Sequence, residues 1–183
     1  SSGSIERPLV FGNNDTPGVM LSSAAKEYMK VYGVLVGKKP LIFTNNDSGY
    51  ETAIEFKKNG VNPIILDTRS NPSSDIITEA KNLNIEIKFS YVVVAAKGYK
   101  KVKSADIAKI SDDKKELFNI ENIECDCICV SGFWTPSIHL ASQSGNKSKF
   151  NEKIDAFVPD KSKQQENTIG SANGIFTLEE TIK

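Results

Sequence analysis

Histidine and tryptophan each occur once in these 183 residues, methionine twice and cysteine three times. A single histidine is a poor basis for a catalytic triad or an imidazole-rich metal centre. His139, in Pro136-Ser137-Ile138-His139-Leu140, is therefore expected to pack or hydrogen-bond rather than catalyse. Cys125, Cys127 and Cys129 are odd in number and spaced C-x-C-x-C, which suits neither a disulfide framework nor a C-x-x-C metal knuckle. On a strand that spacing puts all three on one face, so they are expected to be core thiols under a helix, in a reducing compartment. Neither sign of charge is in excess: 23 Lys and Arg face 23 Asp and Glu. No nucleic-acid partner is implied, and the run Lys97 to Lys103 reads as a solvated strand edge or hairpin. No apolar run approaches the roughly 20 residues of a membrane helix and no signal peptide is visible, so a cytoplasmic chain without a membrane partner is expected.

Glycine is missing where a nucleotide fold needs it most. Pro40 to Arg69 reads as an apolar run (Leu41, Ile42, Phe43), a tight polar loop, a helical pattern and a second apolar run ending in Asp67. That order is a βαβ unit with an acid about 20 residues past the loop, where a ribose hydroxyl would sit. In register with G-x-G-x-x-G, however, the loop is Thr44-Asn45-Asn46-Asp47-Ser48-Gly49, and only the third glycine is present. A side chain at Asn46 would crowd a phosphate, and Asp47 would repel one. The helix N-terminus still offers amides and the positive end of a dipole, while Asp47 and Ser48 are also good caps. A working phosphate loop and a degenerate, structural one both remain open. Arg69 could pair with Asp67 or meet a 2′-phosphate.

Around this unit the pattern predicts an irregular stretch over 5–18, then a helix ended by Gly33, with Met20, Ala24, Tyr28 and Val31 as its stripe. The βαβ helix covers about 48–59, and its second strand is Pro63 to Leu66. A helix after Asn71-Pro72-Ser73-Ser74-Asp75 buries Ile76, Ile77, Ala80 and Leu83, and a strand follows at Ile85 to Phe89. Three strands over 91–123 form an antiparallel meander covering one face of the sheet, before the cysteine strand returns to the core. The expected fold is α/β: a Rossmann-like βαβαβ parallel sheet with an inserted three-stranded antiparallel meander, spanning about 36–131 with arms on either side. In the arms, Ser2-Gly3 and Ser131-Gly132 are each followed by a proline. Thr168 to Gly174 is a small-residue turn, with Gly170 and Asn173, of a shape that lets amides approach phosphate or ribose. Residues 143–168, rich in Ser, Lys, Gln and Asn, are expected to be mobile.

The segments ERPLVF with NDTPGVML, FTNNDSGY, SGFWTPSIHLASQSG and IGSANG, in that order over nearly the whole chain, resemble the alpha subunit of heterotetrameric sarcosine oxidase. The resemblance implies a two-dinucleotide-domain flavoprotein architecture, with an NAD(P)-binding-type domain inserted in an FAD-type one. Residues 1–35 and 132–183 would then be arms of an incomplete outer domain, and 36–131 the inserted domain. It also implies a multisubunit complex oxidising sarcosine to glycine, with NAD on the alpha subunit and FAD or FMN on the beta subunit or at its interface. No catalytic residue is carried over by match. Cofactor contacts are expected from Asn45, Asn46, Asp47, Ser48, Gly49, Asp67, Gly132, Gly170 and Asn173, with no metal, and an isolated piece of this kind is expected to be monomeric. A related opine or proline dehydrogenase subunit is the alternative within the architecture; a vestigial nucleotide fold acting only in interactions is the alternative outside it.

Overall fold

Strands that are apolar without alternation bury both faces, as in a parallel sheet covered on two sides. Pro40–Thr44 (β3) and Cys127–Ser131 (β9) are such runs, buried at every position. They pair in parallel, Leu41 with Ile128 and Phe43 with Val130. β2 (Val19–Leu21) lies beyond β9, and β4 (Ile64–Asp67) and β5 (Glu86–Phe89) extend the other side, giving the order β2-β9-β3-β4-β5. The computed structural model describes residues 3–182 in two units, Pro8–Phe133 and residues 3–7 with 134–182.

In the larger unit, α1 (Ser22–Tyr32), α2 (Ser48–Lys58) and α3 (Asp75–Asn82) cover one face. Ala25, Met29, Tyr50, Ala53, Phe56 and Ile77 close there over Ile42, Ile65, Cys127 and Cys129. The other face carries the antiparallel sheet of β6 (Tyr91–Lys97), β7 (Ser104–Ile110) and β8 (Leu117–Glu124). Val93, Ala96, Ala105 and Ile107 from it meet Leu41, Phe43, Leu66, Ile128 and Val130. The parallel sheet with its covering meander is thus as the sequence pattern reads. The lysine run is the β6–β7 hairpin, exposed except for residues such as buried Val102.

Three details differ. The buried residues of α1 are Ser22, Ala25 and Met29, whereas Tyr28 and Val31 are 46% and 67% exposed. The buried side of α1 meets α2, where Thr52 Oγ1 donates to the Ser22 carbonyl (3.0 Å), and Met20 belongs to β2 rather than to the helix. Gly33 does end α1, at φ 62°, with the Val34 amide reaching back to the Tyr28 carbonyl (2.9 Å). The helix packs within the unit Pro8–Phe133. The cysteines do not share a face. Cys127 and Cys129 lie under the helices, but Cys125 precedes β9 and joins the meander side. Between them Asp126 leaves the strand to accept the Lys38 and Lys39 amides, both at 2.8 Å.

The smaller unit pairs β1 (Ser4–Glu6) antiparallel with β10 (Trp134–Pro136), followed by α4 (His139–Gln143). The stretch expected to be mobile holds a hairpin of β11 (Ser148–Asn151) and β12 (Ala156–Pro159). Ala156 and Val158 are buried in it, and Phe150 and Phe157 stack edge-on at 5.3 Å. Gly170–Asn173 is a 3-10 turn, and α5 (Leu178–Thr181) follows. Ser2, of the Ser-Gly echo, lies outside the described residues. Among the described residues no helix is long and apolar enough to cross a membrane.

The three cysteines form no disulfide and are at most 2% exposed, and burial pushes the Cys125 thiol up to about 12. Thiol titration with a disulfide reagent at pH 8 is expected to label none of them in the folded chain within minutes and all three in denaturant; rapid native labelling would contradict this packing.

Candidate functional site

The carboxyl ends of β3, β4 and β9 bring Thr44, Asp67 and Ser131 level, since Thr44 pairs with both Asp67 and Ser131 in the parallel register. All three are fully buried. In open α/β sheets this is the edge where ligands bind. Here the chain itself fills much of it.

The 44–49 loop is closed by its own side chains. Thr44 Oγ1 donates to the Asn46 carbonyl (2.8 Å) and accepts the Asn46 amide (3.1 Å). Asn46 is only 5% exposed. Its Nδ2 donates to the Ser131 carbonyl (3.0 Å) and to Asn45 Oδ1 (2.9 Å), and its Oδ1 accepts the Ser48 amide at the start of α2 (2.9 Å). Asn46 thus caps the start of α2, where the Asp47 side chain makes no capping bond. Gly49 is held for packing: a Cβ there would come within 2.6 Å of Thr44 Cβ.

Asp67, the acid in the ribose position, is wholly buried and already surrounded. Tyr50 Oη donates to its Oδ2 (2.7 Å), and Arg69 donates from its backbone amide (2.9 Å), Nε (3.0 Å) and Nη2 (2.8 Å). Arg69 Nη2 also reaches Asp47 Oδ1 (2.9 Å), tying the loop to the end of β4. Burial, then the bond to Asp67, holds the Tyr50 phenol well above its ordinary pKa. Burial alone would weaken the proton's hold on Arg69; Asp67 and then Asp47 more than reverse that. Of the two sequence readings of Arg69, the geometry is the ion pair with Asp67.

Of the expected contact residues, Asn45, Asn46, Asp47, Ser48, Gly49 and Asp67 thus converge. Gly132 follows Ser131 in the same unit and is buried. Gly170 and Asn173 bound the 3-10 turn of the other unit, Gly170 at φ 65°. His139 is exposed at the start of α4. Two participants escaped the sequence reading. Tyr50 looked like a core residue on the helix stripe, and Ser131 like part of a Ser-Gly strand end; neither spacing announces a hydrogen-bonding role. Beside the network lies an open cleft of about 590 Å³ between the β4–α3 loop and the β7–β8 turn, with Thr68, Arg69, Ser90, Ser111 and Lys114 on its walls.

A parallel sheet with helices on one face, an antiparallel meander on the other and a βα loop at its carboxyl edge is a Rossmann-like α/β fold. Solved structures bear this out: thioredoxin reductase from Lactococcus lactis superposes with a TM-score of 0.71 at 15% identity, over 98% of this chain and 58% of that one. L-proline dehydrogenase from P. horikoshii does so at 0.58 and 21%, over 93% of this chain and 28% of that one. These likenesses establish the fold alone.

Sequence similarity is more particular. The chain is 32% identical over 178 residues to the sarcosine oxidase alpha subunit of Corynebacterium sp. (strain P-1), matching 96% of this chain and 18% of that subunit. It is 35% identical over 159 residues to that of Rhizobium meliloti (strain 1021), 86% of this chain and 15% of that subunit. The resemblance read from the sequence motifs is therefore borne out, and the chain spans less than a fifth of the length of these relatives. No protein-family profile matches it.

Tyr50→Phe leaves Asp67 one donor short in a buried site and is expected to cost about 1–3 kcal/mol in urea denaturation at pH 7. Because the folded-state phenol pKa is raised, its contribution is complete below the unfolded value near 10 and is lost as pH rises through the folded value. Tyrosinate absorbance near pH 10 should accordingly omit Tyr50 until denaturant is added. An ionised Tyr50 in the folded chain at that pH would refute the network.

Proposed function

We propose that this chain serves as the inserted dinucleotide-fold portion of a sarcosine oxidase-type alpha subunit, acting as a scaffold without catalytic residues of its own. In this reading the complete enzyme oxidises sarcosine to glycine and a one-carbon unit in a cytoplasmic, heterotetrameric complex. Its flavin, FAD or FMN, works on the beta subunit or at the interface with it. The similarity to two alpha subunits along nearly the whole chain supports this assignment.

The observation that carries the scaffold role is the state of Asp67. A ribose-binding carboxylate needs free lone pairs facing the cofactor. Asp67 has no exposed surface and receives donors from Tyr50 and Arg69 on both oxygens. In this reading NAD belongs to the outer dinucleotide-binding domain, to which the turn bearing Gly170 and Asn173 would contribute. Asn45 to Gly49 and Asp67, first expected as cofactor contacts, act here as the internal bracing of the domain.

Amide-shift titration of the 183-residue chain with NAD, NADH and FAD tests this. The expected outcome is silence at Asn45 through Gly49 and at Asp67 up to millimolar ligand. Saturable shifts confined to those residues would make this loop a cofactor site and overturn the scaffold reading.

A further inference from the structure

We propose that the Asn46 carboxamide is a built-in occupant of the phosphate position, and that this one side chain keeps the βα loop closed to anions. The inference rests on the reading above that the loop binds no dinucleotide, and it names the group responsible.

Two requirements define a phosphate position at a strand-to-helix turn. The backbone must come close to the anion at the second fingerprint position, which calls for a residue without Cβ, and the first helical amides need an acceptor. Asn46 occupies that second position. Its Oδ1 takes the Ser48 amide at 2.9 Å, supplying the acceptor from within the chain. Its Nδ2 is anchored on the Ser131 carbonyl at 3.0 Å, on Asn45 Oδ1 at 2.9 Å and near Ser131 Oγ at 3.3 Å. A carboxamide has two donors and an acceptor oxygen, and all three functions are used. With 5% exposure, the group has been withdrawn from solvent into the loop. Asp47 differs in kind. It is 44% exposed at its side chain and its charge is met by Arg69 at 2.9 Å, so it stands at the rim rather than in the pocket.

The other structural needs of the turn are still met. Gly49 still packs against Thr44, and α2 still begins directly after the loop. Emptying position 46 should therefore uncover an anion site without dismantling the turn. The binding energy of an anion placed there would appear as added stability in the variant and not in the parent chain.

The experiment compares the parent chain with Asn46→Gly and Asn46→Asp, using pyrophosphate as the probe at constant ionic strength. Both substitutions are expected to lower Tm. Millimolar pyrophosphate is expected to raise the Tm of Asn46→Gly by a few degrees more than that of the parent, with amide shifts at Ser48, Gly49 and Tyr50. Asn46→Asp keeps the volume filled and adds a negative charge, so it should show no such recovery. Should Asn46→Gly fail to fold in buffer alone, the same comparison is made in a stabilising osmolyte such as sucrose, present equally for parent and variant. A folded Gly variant that ignores pyrophosphate, or equal stabilisation of variant and parent, overturns the proposal. Binding of NAD at the loop in the parent chain would instead overturn the scaffold reading, so the two failures are distinguishable.

Discussion

Everything at the carboxyl edge of the sheet depends on a buried charge. Asp67 has no contact with water, and an ionised carboxylate without partners in such a place would cost several kcal/mol. The chain answers with Tyr50 from α2 and with the backbone and guanidinium of Arg69. Each donor fixes something else. The Tyr50 phenol sets the rotation of α2 against β4. Arg69, once committed to Asp67, reaches over to Asp47 and holds the loop that precedes α2. Strand, helix and loop are therefore coupled through one carboxylate, and its removal would unsettle all three.

A second group performs the same service for the neighbouring strand. Asn46 connects the β3–α2 loop to the Ser131 carbonyl at the end of β9, while the Asn45 amide reaches the same carbonyl at 3.3 Å. Parallel strands leave their last carbonyls unpaired where the loops begin, and in a nucleotide-binding unit ligand and water commonly satisfy that edge. In this unit the Asn46 side chain and the Asn45 backbone amide do so. The edge is paired internally, which suits the scaffold role proposed for this unit.

Much of the fold could be read from periodicity. The uninterrupted apolar runs at Leu41 to Phe43 and Ile64 to Leu66 announced buried parallel strands, and the change of pattern after Tyr91 announced the meander. The failures have physical causes. In α1 two interleaved stripes are available, and the buried one runs through Ser22, Ala25 and Met29, on the side that meets α2. β2 has three residues, too few for any period to register. The cysteine spacing implied one face only if the strand ran unbroken, and Asp126 breaks it by turning to cap the Lys38–Lys39 backbone. At the site, residue types in the loop signalled an eroded fingerprint, but not that Asn46 would face inward. That depends on the Ser131 carbonyl, 85 residues away in sequence.

The fate of the fingerprint glycines follows from separating what each does. The third allows a helix to lie on its strand, a demand of packing that exists whether or not a ligand ever arrives. At Gly49 it persists, because a Cβ would strike Thr44. The first two serve the tight turn and the approach of a pyrophosphate, and once no anion is bound their backbone freedom is only an entropic cost. Thr44 and Asn46 in those places convert that freedom into fixed hydrogen bonds between buried groups. A nucleotide fold can thus surrender the ligand chemistry of its loop and gain rigidity from the same positions. The one glycine that remains reports on packing rather than on cofactor binding.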